Sequence, residues 1–394
     1  MKRKIMVLLT AALVCGIFSA CGGTEGESGL KPESSVSSES EERFEAENAP
    51  EIPGLTYENS MALEYASGFA VHYYNDGYAL IDVEDSAQYL IVPEGSEVPE
   101  VLSEDIIVLQ KPFDNIFMST SSPMALFEAL GCVDSIGFSA TEEADWSIES
   151  AVEAMQNGDI KYAGAFNEPD YEMLTDGGCS LAIEDVMITY SPEVQEMLES
   201  LGIPVFIDMS SYEDHPLGRT EWIKAYSVLF DKEEEAESFF DEQAEKVSEA
   251  ENYEKTDKTV AFFYIKSDGT AAVRNTTDYM VKMIDMAGGK YIYDEPPADA
   301  SGSNITISME EFYDVASDAD YLIYNTSLGG EIESTNDLIA LNELFADFKA
   351  VQDGNVYTTN KLLYQATDSL ADFIGDVHQM LTGGSDIKFL KKIG

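Results

Sequence analysis

The sequence predicts an α/β protein made of two similar halves that a long helix joins. Short apolar runs typical of strands alternate with helical patterns from about residue 114 to 209, and the same alternation returns after residue 258. Between them, residues 215–240 are almost continuously helical in pattern. Strands that alternate with helices favour a mostly parallel sheet covered on both faces. We therefore expect two α/β lobes and a helical connection.

The first twenty residues have the form of an export signal. Three basic residues precede an apolar run that is too short and wrongly flanked to be a stable membrane span. The tetrapeptide Phe18-Ser19-Ala20-Cys21 resembles a bacterial lipobox, in which Leu is preferred at the position of Phe18. We expect a lipoprotein signal peptide over 1–20 and Cys21 as the lipid-modified first residue of the mature chain. The alternative is ordinary secretory cleavage near the same place.

Residues 21–54 predict a disordered acidic tether, because Ser, Glu and Gly dominate and large apolar groups are nearly missing. The whole chain has a formal net charge of −53, which disfavours nucleic acid and anionic membrane surfaces as partners. We expect a folded body on the extracytoplasmic face of the cell membrane, held to the bilayer only through its N-terminal anchor. Whether that face is a Gram-positive surface or a periplasm is left open.

The N-terminal lobe is predicted over residues 55–230 and begins with a β-rich extension over 55–110. In that extension, the turn Asn75-Asp76-Gly77 between alternating apolar residues indicates a β-hairpin followed by another strand. Ser191 is a predicted N-cap, with Pro192 at the first helical position. The predicted strands are 114–120, 135–140, 179–183 and 203–209, and the predicted helices are 122–131, 147–158 and 192–202.

A connecting helix is predicted over residues 231–252. Trp222, Tyr226 and Leu229 share one stripe of the preceding helical stretch. Asp231, with Glu234 three residues later, has the form of a capping box that starts a new helix of about twenty residues, or roughly 30 Å. That length suits a strut between two lobes.

The C-terminal lobe is predicted over residues 253–394 and repeats the scheme of the first. The predicted strands are 258–265, 320–325 and 355–359, and the predicted helices are 278–289, 337–348 and a last one from about residue 368. Sequence identity between the two halves is slight, so the repetition is one of architecture.

The sequence indicates neither an enzyme nor a metal site, as its cysteines, its histidines and a search for catalytic motifs show. Cys132 and Cys179 each lie beside a predicted strand, where a disulfide and two buried free thiols are both open. The histidines, at 72, 215 and 378, form no spaced cluster with cysteine or carboxylate. No nucleophile elbow, His-Glu-x-x-His motif or phosphate-binding loop occurs. We expect a protein that is not an enzyme and has no resident cofactor.

The stretch EDHPLGRTEWIKAYSVLFDKEEEAESFFDEQ, residues 213–243, resembles the iron-complex and cobalamin group of ABC-transporter substrate-binding proteins. The resemblance runs from about residue 114 to the C-terminus, and residues 55–110 have no counterpart in it. It implies two lobes joined by a single backbone helix, with a ligand cleft between them. It also implies a small-molecule ligand, which is an iron chelate (siderophore or haem) or a corrinoid, and delivery to an ABC permease and its ATPase by a monomer.

A lipid-anchored adhesin or surface interaction protein with the same fold is the alternative, and the added β segment would suit it. Two points stay open: the identity of the ligand, if the protein serves transport, and the role of residues 55–110.

The resemblance also implies two sites of contact with the permease. Members of the group place a glutamate near the start of a helix in each lobe, after a capping residue. Here Asp170-Tyr171-Glu172 and Ser308-Met309-Glu310 match that pattern, so Glu172 and Glu310 are the predicted docking residues. Glu311 is a rival to Glu310. The alternative is that these acids only favour a helix N-terminus.

Candidate ligand contacts lie in loops that follow predicted strands. Arg274 is one of three arginines in the mature chain and would bind a carboxylate or an anionic chelate, unless an intramolecular salt bridge engages it. Trp146 would stack on a ligand ring. Tyr190, Tyr279 and Tyr364 occupy comparable loops, where ordinary packing is the alternative.

Overall fold

The computed structural model describes residues 49–103, 105–250, 252–293 and 302–394. The predicted signal peptide, Cys21 and most of the predicted tether lie outside the described residues. Within the described ranges, no helix has the length and apolar character needed to cross a membrane.

The strands run in chain order from β1 to β19. They are β1 (Tyr57–Ser60), β2 (Phe69–Tyr74), β3 (Ala79–Val83), β4 (Gln88–Val92), β5 (Ile106–Gln110), β6 (Ile116–Met118), β7 (Ile136–Ser139), β8 (Lys161–Tyr162), β9 (Gly164–Ala165), β10 (Glu168–Pro169), β11 (Ala182–Asp185), β12 (Val205–Asp208), β13 (Thr259–Ile265), β14 (Ala271–Arg274), β15 (Lys290–Tyr291), β16 (Asn304–Ile307), β17 (Tyr321–Tyr324), β18 (Val356–Thr359) and β19 (Leu390–Lys392).

The helices follow the same convention. They are α1 (Met124–Ala129), α2 (Glu149–Asn157), α3 (Tyr171–Asp176), α4 (Pro192–Ser200), α5 (Pro216–Glu221), α6 (Ile223–Phe230), α7 (Glu233–Ala250), α8 (Tyr279–Met286), α9 (Met309–Ala316), α10 (Thr326–Gly329), α11 (Thr335–Leu341), α12 (Lys349–Gln352) and α13 (Leu370–Thr382).

The first sheet is built from the N-terminal extension, in the order β1-β2-β3-β4-β5. The turn at 75–77 joins β2 to β3 as an antiparallel pair, and β4 pairs with β5 in parallel. Alternation along the strands makes the sheet two-sided. Val71 and Tyr89 face the large core shared with the helices, whereas Leu80 and Leu90 face a small core of their own. The extension is therefore packed on the rest of the protein through one face.

A second sheet, in the order β12-β11-β6-β7-β8, is parallel throughout. Phe117, Ala182 and Val205 pack with α3 and α4 on one face, and Met118, Ile183 and Phe206 join the large core on the other. The carboxyl ends of β6, β11 and β12 therefore lie along one edge of the N-terminal lobe. In open α/β sheets that edge is where ligands bind.

The third sheet has the order β16-β14-β13-β17-β18-β19, with β15 paired to β13. Its centre, β13-β17-β18, is parallel, whereas β14, β16 and β19 are antiparallel additions that the sequence did not predict. The parallel centre again brings several strand ends and their following loops to one edge of the C-terminal lobe.

Helices α5, α6 and α7 connect the two lobes. The connecting helix α7 runs from Glu233 to Ala250, inside the predicted span of 231–252. Trp222 and Tyr226 are fully buried, as their shared stripe indicated. The two-lobed α/β fold with a long connecting helix is thus confirmed.

Three local expectations have clear outcomes. Asp231 does not cap α7, because it ends α6 in the left-handed conformation with φ 55° and its carboxylate pairs with Lys111 at 2.5 Å. Pro192 does occupy the first turn of α4, but the Ser191 side chain makes no capping hydrogen bond. Cys132 and Cys179 are both buried free thiols.

Candidate ligand-binding site

A cleft of about 940 Å³ lies between the two lobes at the carboxyl ends of the parallel strands. On the N-terminal side it is lined by residues that follow β11 and β12, such as Val186 and Tyr212. On the C-terminal side it is lined by residues at or after the ends of β14, β17 and β18, such as Arg274, Leu328 and Tyr364. This volume is within the range of small-molecule sites.

Arg274 stands at the end of β14 and is only 5% exposed. Its Nη2 donates to the hydroxyl of Tyr364, and its Nη1 lies 3.5 Å from Asp278 Oδ2. The Asn325 amide also donates to the Tyr364 hydroxyl at 2.7 Å. The intramolecular pairing considered for Arg274 therefore exists, and it holds the guanidinium at the cleft wall.

Tyr279 begins α8, which Asp278 caps by accepting the Met280 N–H at 2.9 Å. The Arg219 guanidinium lies over the Tyr279 ring, 3.6 Å from its centroid, in a cation–π contact. Arg219 also donates from Nε to the Glu213 carbonyl at 3.2 Å and from Nη2 to the Ser211 carbonyl. The cleft thus has a second arginine, which comes from the HPLGR segment.

Two residues of the cleft wall also carry a polar atom without a partner. Asn275 Oδ1 and Asn304 Oδ1 are buried, and neither has a hydrogen-bond partner among the described residues. Leaving a buried acceptor unpaired costs about 1–3 kcal/mol, so such atoms call for a donor from water or ligand. The arrangement offers two guanidinium groups to one bound molecule, beside two asparagines whose buried amide oxygens lack a partner among the described residues.

The cleft also has acidic residues, and two of them are engaged by the protein itself. Glu213 accepts backbone N–H groups and the Trp222 indole N–H, while Asp278 caps α8 and faces Arg274. Asp214 is exposed at the cleft.

A buried carboxyl lies next to the N-terminal wall in the chain. Glu184, in β11 two residues before Val186, is 1% exposed, and its Oε2 accepts a hydrogen bond from the Ser119 hydroxyl. Burial raises the pKa of Glu184 to about 8, and the neighbouring Asp185 adds to the shift, whereas the Ser119 hydroxyl opposes it. At neutral pH this side chain is therefore mostly a neutral acid.

Of the five predicted ligand contacts, Arg274, Tyr279 and Tyr364 line the cleft together. Tyr190 is 79% exposed and is not among the lining residues, although it ends the same turn as Val186. Trp146 is buried in the large core, and its indole N–H donates to Ser139 Oγ at 3.2 Å. The Trp146 ring is thus not among the residues that line the cleft. Its contact with a ligand stays a prediction.

The loop of Trp146 nevertheless contacts the opposite lobe. Gln365, which follows Tyr364, accepts the Ser147 N–H at 2.8 Å and donates to the Asp145 carbonyl at 2.8 Å. The position of this loop in the sequence indicated proximity to the other lobe, but the contact is made by its backbone.

The predicted docking glutamates occupy equivalent positions. Glu172 is the second residue of α3, capped by the Asp170 carboxylate, and Glu310 is the second residue of α9, capped by the Ser308 hydroxyl. Both glutamates are exposed. Glu311 is exposed as well, but its backbone N–H donates to Ser308 Oγ at 3.1 Å.

The sequence profile of a family described as periplasmic binding protein matches residues 117–362. The chain belongs to this periplasmic binding protein family. Its members are solute-binding proteins rather than enzymes, and they work with ABC permeases. The adhesin alternative is therefore not favoured.

Individual similarities agree with the family. An uncharacterised lipoprotein of Methanocaldococcus jannaschii is 24% identical over 415 residues, covering 99% of this chain and 100% of that protein. A periplasmic haem-binding protein of Pseudomonas aeruginosa superposes with a TM-score of 0.56 at 14% identity, covering 71% of this chain and 98% of its own. An ABC-type Fe³⁺-hydroxamate transport protein of Saccharomonospora viridis gives 0.53 at 18% identity, covering 68% and 93%.

Sequence reasoning missed several residues of this periplasmic binding protein's cleft. The sequence could have indicated Arg219, because it and Arg274 are the two arginines after residue 49. Its place in the HPLGR segment instead suggested a role in the helical connection between the lobes. Asn275 and Asn304 carried no signal. Glu213 is one of 75 acidic residues, and its donors lie almost 150 residues earlier in the chain.

Proposed function

We propose that this protein is a lipid-anchored substrate-binding protein that captures an anionic metal chelate in its interlobe cleft and delivers it to an ABC permease. One observation carries the proposal. The chain has a net charge of −53, yet both arginines of its described residues line a single cleft. A guanidinium presents a rigid fork of donors that matches carboxylate and catecholate oxygens.

The chelate class is supported by chemistry and by similarity. The cleft's volume of about 940 Å³ suits a compact macrocycle or a hexadentate chelate. The proteins of similar fold include one named for haem and one named for Fe³⁺-hydroxamate transport. Haem has two propionates and a ferric tris-catecholate is a trianion, so either would place negative charge between Arg219 and Arg274.

Thermal unfolding with a ligand panel tests the proposal. The panel is haemin, a ferric tris-catecholate, a ferric trihydroxamate and cyanocobalamin, each beside its iron-free or metal-free counterpart. A ligand at a hundred times its Kd stabilises by about 2.7 kcal/mol, so the cognate class should raise the Tm clearly. We expect the haemin or catecholate arm to respond. A response confined to cyanocobalamin or the trihydroxamate would contradict an anionic ligand.

We propose Glu172 and Glu310 as the contacts with permease arginines. Their matched positions, each exposed and second in a capped helix, support this role in both lobes. Glu311, the third residue of the same helix, is also exposed and stays the rival to Glu310.

Uptake assays test the docking proposal. Glu172→Lys and Glu310→Lys should each slow uptake of the cognate chelate while the affinity for it is preserved, because like charges would meet at the interface. Glu311→Lys and Glu41→Lys serve as acidic controls. Equal uptake by Glu172→Lys and Glu41→Lys would refute the assignment, and a selective defect at Glu311 would move the site by one residue.

We also propose that Cys21 bears the lipid anchor, which the named lipoprotein relative supports. Cys21→Ser removes both the thioether lipid and the acylated amine, so the protein should leave the membrane fraction. Retention of the variant after a carbonate wash would contradict this.

A further inference from the structure

The N-terminal sheet meets the connecting helices through the loop between β1 and β2. Two buried glutamates hold this loop by its backbone. Glu221 accepts the N–H groups of Glu64, Tyr65 and Ala66 at 2.9, 2.8 and 2.7 Å. Glu213 accepts the N–H groups of Ser67, at 3.0 and 3.1 Å from its two oxygens, and of Gly68, at 2.9 Å.

These carboxylates are deeply buried, with Glu213 4% exposed and Glu221 fully buried. A buried carboxylate is costly unless several donors surround it. Glu221 has Lys224 at 3.2 Å, whereas the described contacts of Glu213 are the Ser67 and Gly68 groups and the Trp222 indole N–H at 3.0 Å. Most of the donors that make Glu213 tolerable inside the protein therefore come from the extension.

The turn that contains Glu213 also holds the cleft arginine. Arg219 Nε donates to the Glu213 carbonyl oxygen at 3.2 Å, and its Nη2 donates to the Ser211 carbonyl oxygen. Glu213 thus has contacts on two sides. Its side chain accepts hydrogen bonds from the loop between β1 and β2, and its carbonyl oxygen accepts one from the guanidinium that lies in the ligand cleft.

Close packing fixes the turn further. A Cβ on Gly68 would lie 3.1 Å from Glu213 Oε1, and a Cβ on Gly218 would lie 3.1 Å from Glu213 Oε2 and 3.2 Å from the Tyr65 carbonyl. The backbones of Gly68 and Gly218 are therefore packed tightly against the Glu213 carboxylate, which limits its movement.

We propose that the N-terminal sheet is a brace that positions Arg219 for the ligand, and that Glu213 is the positioning residue through which it acts. The proposal rests on the proposed function in one respect, namely that Arg219 contacts the ligand. It gives residues 55–110 a role in the binding site, although they lie before the part of the chain that matches the family, which begins at residue 117.

The first test needs no ligand. With ¹⁵N-labelled arginine the mature chain from Cys21 gives three Nε–H signals, and Arg219→Lys identifies one of them. Glu213→Ala should speed solvent exchange of the Arg219 Nε–H by about tenfold or more, since its acceptor is no longer held, while Arg274 stays unchanged. Glu221 anchors the same loop at a point away from the Ser211–Glu213 turn, so Glu221→Gln is the control variant. It should lower the Tm without changing exchange at Arg219.

Two further variants keep this test decisive if Glu213→Ala does not fold. Glu213→Gln retains an acceptor for Gly68 and Trp222 and should restore most of the protection. Gly68→Ala perturbs the brace from the extension side and should weaken the protection. Native exchange at Arg219 in a folded Glu213→Ala protein, or in Gly68→Ala if that variant is the one that folds, would overturn the proposal.

The second test measures the Kd of haemin and of a ferric tris-catecholate in a double-mutant cycle. Glu213→Ala should weaken binding about tenfold alone and should add nothing in the Arg219→Ala background, because it acts through Arg219. Additive effects of the two substitutions would refute the positioning role. If the wild-type protein binds neither probe, the proposed anionic ligand is wrong, and the exchange experiment still decides whether the brace exists.

Discussion

The two walls of the cleft each present one arginine, but they hold it by different means. Arg274 lies at the end of a strand, is 5% exposed, and is held by side chains of its own lobe, Tyr364 and Asp278. Arg219 is half-buried and is held by two carbonyl oxygens of a turn and by the ring of Tyr279 from the other lobe.

The walls also differ in the partners of one buried carboxyl each. Asp278 in the C-terminal wall faces a guanidinium, whereas Glu184, two residues before Val186 of the N-terminal wall, accepts a hydrogen bond from the Ser119 hydroxyl and has no cationic partner among the described residues. The C-terminal wall is therefore set by its own sheet. The N-terminal wall depends on what packs behind it, including a sheet outside the family match. A difference of this kind has consequences for stability and for affinity.

The largest expected effect is on the pH dependence of stability. The pKa of Glu184 rises from 4.5 to about 8 on folding, so the folded state binds the extra proton between these values. Stability from this group is therefore present below about pH 4.5 and is lost as the pH rises to about 8. At 1.36 kcal/mol per unit, the loss is on the order of 4–5 kcal/mol.

Glu184→Gln keeps the side chain neutral and should remove this loss. Denaturant unfolding at pH 5 and pH 8.5 measures it, and the variant should gain on the wild type only at the higher pH. Glu193→Gln, an exposed glutamate on α4, is the matched control and should show no gain. Parallel curves for wild type and Glu184→Gln would show that the two walls do not differ in this respect.

A smaller effect is expected for Arg274→Ala on affinity. Removing a desolvated guanidinium from an anionic ligand should cost about 3 kcal/mol, or roughly a hundredfold in Kd. Arg274→Lys should recover part of it, because a lysine retains the charge but not the fork. An unchanged Kd for a well-folded Arg274→Ala protein would remove this residue from the site.

Arg219→Ala should have the smallest effect, about tenfold in Kd, because a half-exposed charge is screened by solvent. Raising the salt concentration should weaken binding by wild type more than by Arg219→Ala. Equal losses for Arg219→Ala and Arg274→Ala, with the same salt dependence, would break the distinction between the two walls.

Much of the architecture was predictable, because the central strands and amphipathic helices carry clear periodicity. β13 and α8 lie within their predicted ranges, and Asp170 and Ser308 cap their helices as the pattern indicated. The strands that were missed, such as β14 and β16, are four residues long, and a short run like Ala271–Arg274 shows no alternation to read.

The site was predictable only in part. Arg274, Tyr279 and Tyr364 were reached through their loops, since loops at strand ends converge in an α/β sheet. The predicted capping box at Asp231 was wrong, because an aspartate can also end the preceding helix in the left-handed conformation. The role of Glu213 depends on a loop almost 150 residues away, and local sequence carries no trace of such a contact.

The most direct test of the central claim is a crystal structure of the protein with the chelate that most raises its Tm. We predict that the ligand occupies the cleft, with its anionic oxygens within hydrogen-bond distance of the Arg219 and Arg274 guanidinium groups. A ligand bound outside the cleft, or inside it without contact to either arginine, would contradict the account.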